Sequence, residues 1–149
     1  MSGNAHEPSC LFCKIVRGDI PSSKVLETED AIAFLDIHPV NKGHVLVVPK
    51  HHHPHLVELP EALAAHVGSI LPRLCRAVQA ATGADGFNVI INNGTAAGQT
   101  VDHGHWHIIP RFHDDPVEWP WPHSEYVGDE LGQMRFRIER ELRPNPNDD

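Results

Sequence analysis

His103-Gly104-His105-Trp106-His107-Ile108-Ile109 is the stretch from which the rest of the chain is read. Polar and apolar residues alternate with period two, which is a strand pattern. It sends the three histidines to one face and turns Trp106 and Ile108 to the other, toward a core. A straight strand spaces alternate side chains about 7 Å apart. Three imidazoles in that row therefore cannot share one metal ion without strain, although one can ligate metal while another does chemistry. The plain alternative is an edge strand with a solvated polar face, but threonine or lysine would serve such a face equally well. The expected strand runs from residue 103 to residue 110.

The loop just upstream, Asn92-Asn93-Gly94-Thr95-Ala96-Ala97-Gly98-Gln99, is rich in small residues. Its glycines and alanines let backbone N–H groups come close to a ligand. Gln99 and Thr100 add side-chain donors immediately before the histidines. Amide, hydroxyl, imidazole and backbone donors at one place suit a phosphate. Neither GxxxxGK[ST] nor GxGxxG occurs, so the phosphate site is of neither the P-loop nor the dinucleotide-fold type.

The bulk composition is compatible with this. The chain has 149 residues, a length for a single domain with a core of its own. Its formal net charge is −8, which argues against a nonspecific binder of long nucleic acid but leaves room for one phosphate held by local donors. The 13 histidines outnumber the 12 lysines and arginines, in a residue type suited to metal ligation and proton transfer. No apolar run approaches the roughly 20 residues of a membrane span. The first nine residues lack the apolar core of a secretory signal. Three cysteines with one close pair do not form a secreted disulfide framework, so a cytoplasmic protein is expected.

Further strands are expected over 24–27, 31–35, 44–49 and 87–91, the last two as buried runs. Phe12 to Gly18 reads as a short helix. The longest helix is expected from Pro60 to Ala81, where Leu63, Val67, Ile70, Leu71, Leu74, Val78 and Ala81 make an apolar stripe. Pro72 interrupts that pattern and predicts a kink or break near Leu71. Cys75 sits beside the stripe as a core cysteine. Residues 113–123 hold three prolines and read as irregular, 128–142 as a terminal helix and 144–149 as a disordered acidic tail. The expected fold class is α+β: an antiparallel sheet of about five strands with one main helix and short terminal helices. A lead over 1–9 and an extension over 113–149 flank the expected domain at 10–112.

The run Gly98-Gln99-Thr100-Val101-Asp102-His103-Gly104-His105-Trp106-His107-Ile108-Ile109 resembles the motif of the histidine triad (HIT) superfamily. Matching blocks stand in order upstream: Cys10-Leu11-Phe12-Cys13-Lys14-Ile15, Phe34-Leu35-Asp36-Ile37, and Gly43-His44-Val45-Leu46-Val47-Val48-Pro49-Lys50. Gly104 departs from the bulky apolar residue usual there, and Asp102 is a second local difference. The resemblance implies a nucleotide hydrolase or transferase. His105 would attack the α-phosphorus and form a nucleotidyl-histidine intermediate that water hydrolyses. His107 would donate to the phosphoryl oxygen. Gln99 and Thr100 would position the phosphate and leaving group. Asp36 would accept from the ribose hydroxyls, Asn92 and Gly98 would contact ribose or phosphate, and Leu11, Phe12, Ile15, Phe34 and Ile37 would form an apolar purine cleft. The leaving atom also needs a proton, which the sequence assigns to no residue.

Cys10 and Cys13 have a spacing shared by zinc sites, redox pairs and packing cysteines. The resemblance implies a structural zinc completed by His103 and by one histidine of Lys50-His51-His52-His53-Pro54-His55, for which His52 has the matching spacing. It also implies a homodimer joined through the main helix and a strand edge. His44 reads as a strand residue without a task of its own. Trp119 and Trp121 are candidates either to cap the nucleotide site or to dock on their own domain. The implied activity is hydrolysis of a nucleoside phosphoramidate or adenylylated substrate to a nucleoside monophosphate such as AMP. The alternatives are a dinucleoside polyphosphate hydrolase or phosphorylase, and a non-catalytic nucleotide- or metal-binding protein.

Overall fold

The computed structural model describes residues 7–118 and 120–143, so the tail at 144–149, most of the N-terminal lead and Trp119 lie outside the described residues. The elements follow in the order α1 (Leu11–Arg17), β1 (Lys24–Glu27), β2 (Ala31–Leu35), β3 (Val45–Pro49), α2 (Glu61–Thr82), β4 (Gly86–Ile91), β5 (Trp106–Arg111) and α3 (Glu130–Leu142). The strands form one antiparallel sheet in the order β1-β2-β3-β5-β4. The α+β class and the five-strand count expected from the sequence both hold.

Period two sorts the sheet into two faces. Ala31, Ala33, Leu35, Val45, Val47, Trp106 and Ile108 turn to the larger core, where α2 brings Val67, Ile70, Leu74 and Val78 and α3 brings Met134 and Ile138. The intervening positions Ile32, Phe34, Leu46 and Val48 face a smaller cluster completed by Cys10, Phe12, Cys13 and Ile15 of the α1 region. Leu46 pairs with His107, so the histidine face of β5 lies on the side of this smaller cluster. Cys75 is buried in the larger core, as expected.

Three expectations need correction. Of the kink or break expected near Leu71, the break is absent, since α2 runs uninterrupted through Pro72. Pro72 is itself exposed, and the buried residues on both sides of it hold the helix against the sheet, which outweighs one lost backbone bond. The strand β4 is an edge and not a buried run: Phe87 and Val89 are 40% and 41% exposed. Its apolar pattern reflects an uncovered face, which composition alone does not separate from a buried one. The third histidine strand is shorter than expected, for β5 begins at Trp106 and leaves His103 and His105 in the preceding loop. There the Gly104 N–H donates to the His53 carbonyl at 2.7 Å and draws the chain away from the ladder. A Cβ on residue 104 would stand 3.1 Å from that same oxygen, which gives the glycine a steric reason.

Candidate active site and metal centre

The three histidines are buried, at 0%, 3% and 8% exposure for His103, His105 and His107. With β5 placed between β3 and β4, the solvated-edge alternative is removed. The rings of His105 and His107 lie 4.8 Å apart, closer than a straight strand would hold them, because His105 sits at the bend before the strand.

The hydrogen bonds fix which nitrogen carries each proton. A carbonyl oxygen only accepts, so the contact between His105 Nδ1 and the His103 carbonyl at 2.7 Å places the proton on Nδ1 and leaves Nε2 with a bare lone pair. The chain through His44 works the other way. Val40 N–H donates to His44 Nδ1 at 3.1 Å. Neutral His44 therefore carries its proton on Nε2, which donates to His107 Nδ1 at 2.9 Å. His107 must then carry its own proton on Nε2. One imidazole is set as a nucleophile and its neighbour as a donor.

Burial keeps the four rings neutral. It pushes His107 down to about 3, with the adjacent His105 adding to the shift. His44 falls well below the ordinary histidine range for the same reason, followed by its closeness to His107. Burial also lowers His105. His103 falls to about 4 through burial, partly offset by its bond to the Pro49 carbonyl. Burial raises the Asp36 carboxyl, although it accepts from the His38 N–H at 2.9 Å.

His44 is the residue that sequence reasoning missed. It stands one position before β3, on the face of Leu46 and Val48, and is fully buried. Period two extended back by one residue would have put it beside the triad. The same extension carries Asp36 to the histidine side, one residue past β2 on the face of Ile32 and Phe34; its carboxylate is 3.8 Å from His44 Nε2.

A cleft of about 320 Å³ opens beside His107, lined by Asp36, Asn92, Gly98, Thr100, Pro120, Trp121 and His123. Asp36, Asn92, Gly98, Thr100 and His107 were all singled out from the sequence. Gln99 is different. Its Nε2 donates to the carbonyls of Pro54 and Val101, and its Oε1 accepts from the Gly94 N–H. Both amide protons hold the loop, so any positioning of phosphate by Gln99 would run through the shape it gives that loop. Phe12, Ile15 and Phe34 are buried in the smaller cluster, whereas Leu11 and Ile37 are 44% and 58% exposed. The Phe12 ring meets the His105 ring edge to face at 4.9 Å and so packs that imidazole in place. The ring of Trp121 stands 5.2 Å from that of His107.

On the other side of His103 lies a second constellation. The side-chain donors of Cys10, Cys13, His52 and His103 lie within 4.8 Å of one another. Cys10 Sγ is 3.4 Å from His103 Nδ1, Cys13 Sγ is 3.4 Å from His52 Nδ1 and 3.6 Å from His103 Nδ1, and the two Nδ1 atoms are 3.2 Å apart. Tetrahedral zinc with ordinary bond lengths has S–N edges of about 3.5 Å and N–N edges of about 3.4 Å. The donor set fits. His103 Nε2 donates to the Pro49 carbonyl at 2.8 Å, which bares Nδ1 toward the cluster, as an orienting bond to a ligand should.

The geometry meets its parallels in known proteins. A family model described as the HIT domain matches residues 17–114. An adenosine 5'-monophosphoramidase of Schizosaccharomyces pombe is 49% identical over 115 residues, covering 75% of this chain and 84% of its own. An adenylylsulfatase of Arabidopsis thaliana is 39% identical over 142 residues, covering 93% and 72%. Among solved structures, a Zn-bound histidine triad family protein from Mycobacterium smegmatis superposes with a TM-score of 0.79 at 36% identity, over 90% of this chain and 93% of that one.

Proposed function

Because the chain belongs to the HIT domain family, we propose that it is a nucleotide hydrolase that cleaves AMP-linked substrates at the α-phosphate. The carrying observation is the pair of opposite tautomers, His105 with Nε2 bare and His107 with Nε2 protonated, inside one buried site. His105 Nε2 attacks phosphorus, and His107 Nε2–H donates to the phosphoryl oxygen on which charge develops. Thr100, Gly98 and Asn92 line the cleft where ribose and phosphate would lie, and Asp36 accepts from the ribose hydroxyls. Water then hydrolyses the nucleotidyl-histidine. The substrate class is a nucleoside phosphoramidate or an adenylylated compound, in keeping with the activities for which the two relatives are named.

Cys10, Cys13, His52 and His103 would hold zinc. Bound there, the metal supplies a structural cross-link between α1 and the catalytic loop, while His105 and His107 stay metal-free. The exposed face of β4, beside the groove formed by Gly68, Leu71, Pro72, Cys75 and Phe87, supports a homodimer through that edge and α2. No helix among the described residues is long and apolar enough to cross a membrane; the proposed location is the cytoplasm, on the ground of the cysteine usage.

AMP release from an AMP–amine amidate and from a diadenosine polyphosphate tests the activity. Turnover of the amidate, lost in His105→Ala, is expected. Preference for the polyphosphate would move the assignment to the dinucleoside branch, and an active His105→Ala would remove the proposed nucleophile.

A further inference from the structure

The reaction needs a proton at the leaving atom, and the buried histidines have none to spare. The His105 Nδ1 proton is held by the His103 carbonyl. His107 has Nδ1 occupied by the donation from His44 and a single proton on Nε2, which the phosphoryl oxygen takes up. The His44 Nε2 proton is the one donated to His107.

A fifth imidazole lines the same cleft. His123 lines it together with Trp121, Asp36, Thr100 and His107, and unlike the other four imidazoles it is exposed to solvent. Its Nδ1 lies 2.9 Å from the His38 carbonyl, which fixes the proton there and leaves Nε2 as the nitrogen that exchanges. The segment carrying it is tied to the turn before β3 independently of that ring. Ser124 N–H and Oγ–H both donate to the Pro39 carbonyl, at 2.8 and 3.0 Å, and the Tyr126 hydroxyl accepts from the Gly43 N–H at 2.8 Å. An exposed histidine with one nitrogen anchored and the other open is the arrangement of an acid that can be recharged from water.

Building on the nucleotidyl-transfer reading above, we propose that His123 is the acid that protonates the leaving group. In the first step the His105 Nε2 lone pair forms the N–P bond. The bond from phosphorus to the leaving atom breaks with its electron pair on that atom, and the Nε2 proton of the His123 imidazolium moves there, leaving that ring neutral with its remaining proton on Nδ1. In the second step a water oxygen bonds to phosphorus, the N–P electrons return to His105, and a water proton moves to His123 Nε2. The chain ends in its starting state.

The test compares AMP joined to an alkylamine with the p-nitrophenyl ester of AMP, whose phenolate departs without a proton. In His123→Gln the ratio of kcat/KM for the amidate to that for the ester is expected to fall about 100-fold, the lower end of general-acid contributions. A residue that only holds the segment would change both substrates alike. An unchanged ratio, with wild type active and His105→Ala inactive, overturns the role of His123 alone. A wild-type chain that releases AMP from neither substrate overturns the nucleotidyl-transfer reading and this inference with it.

Discussion

At the scale of single residues, the site rests on His44 as much as on the triad. Its Nε2–H selects the His107 tautomer, so His44→Leu is expected to lower kcat about 100-fold with little change in KM, comparable to loss of one donor to a developing oxyanion. His44→Gln, which restores an N–H near that position, should recover part of the loss, and steady-state kinetics on both variants checks it. The depressed rings also link stability to pH. In the unfolded chain, His44 and His107 protonate near 6.5. In the fold His107 resists down to about 3 and His44 is likewise well depressed. As pH falls through this window only the unfolded state gains these protons, so unfolding free energy declines, then levels off below it. Asp36, raised by burial, opposes the trend just above the ordinary carboxylate range. Urea midpoints at pH 7.5, 5.5 and 4 should fall in that order, and less steeply in His44→Leu.

Among the elements, the first two strands were legible because they flank the acidic turn at Glu29-Asp30: 24–27 and 31–35 coincide with β1 and β2. The errors have physical causes. Alternation extended the histidine strand back to residue 103, although Gly104 bends the chain there to reach His53. The partners of the Gln99 side chain, the Pro54 and Val101 carbonyls, were not legible, because they come from loop closure and leave no trace in residue type. Burial of β4 was misjudged because an apolar edge strand has the same composition as a strand covered by neighbours. That strand carries its own prediction. Val89 is 41% exposed on the edge strand, so Val89→Asp should leave the fold intact and shift the expected dimer to monomer, read by analytical ultracentrifugation.

For the molecule as a whole, the candidate metal cluster joins parts far apart in sequence: α1, the loop after β3 and the loop before β5. Elemental analysis is expected to find one zinc per chain. Chelation should lower the melting temperature, and re-addition of zinc should restore it. The CxxC pair was visible in the sequence and the spacing pointed to His52 among the consecutive histidines, but only the fold gathers its donor atom with the other three. The C-terminal region likewise acquires definition only in three dimensions. Met134 and Ile138 complete the larger core, while Trp121 and His123 wall the cleft.

His103 serves two neighbours through different parts of itself. Its ring belongs to the cluster, and its carbonyl holds the proton of His105. Genetic substitution reaches only the first of these. Every amino acid supplies a main-chain carbonyl, so no codon change can delete the acceptor that sets the His105 tautomer. An alanine scan will therefore pass over it, and the feature is open only to chemistry on the backbone, such as an ester in place of the 103–104 peptide bond. The proton arrangement of His105 is in this sense buffered against mutation at the residue that provides it.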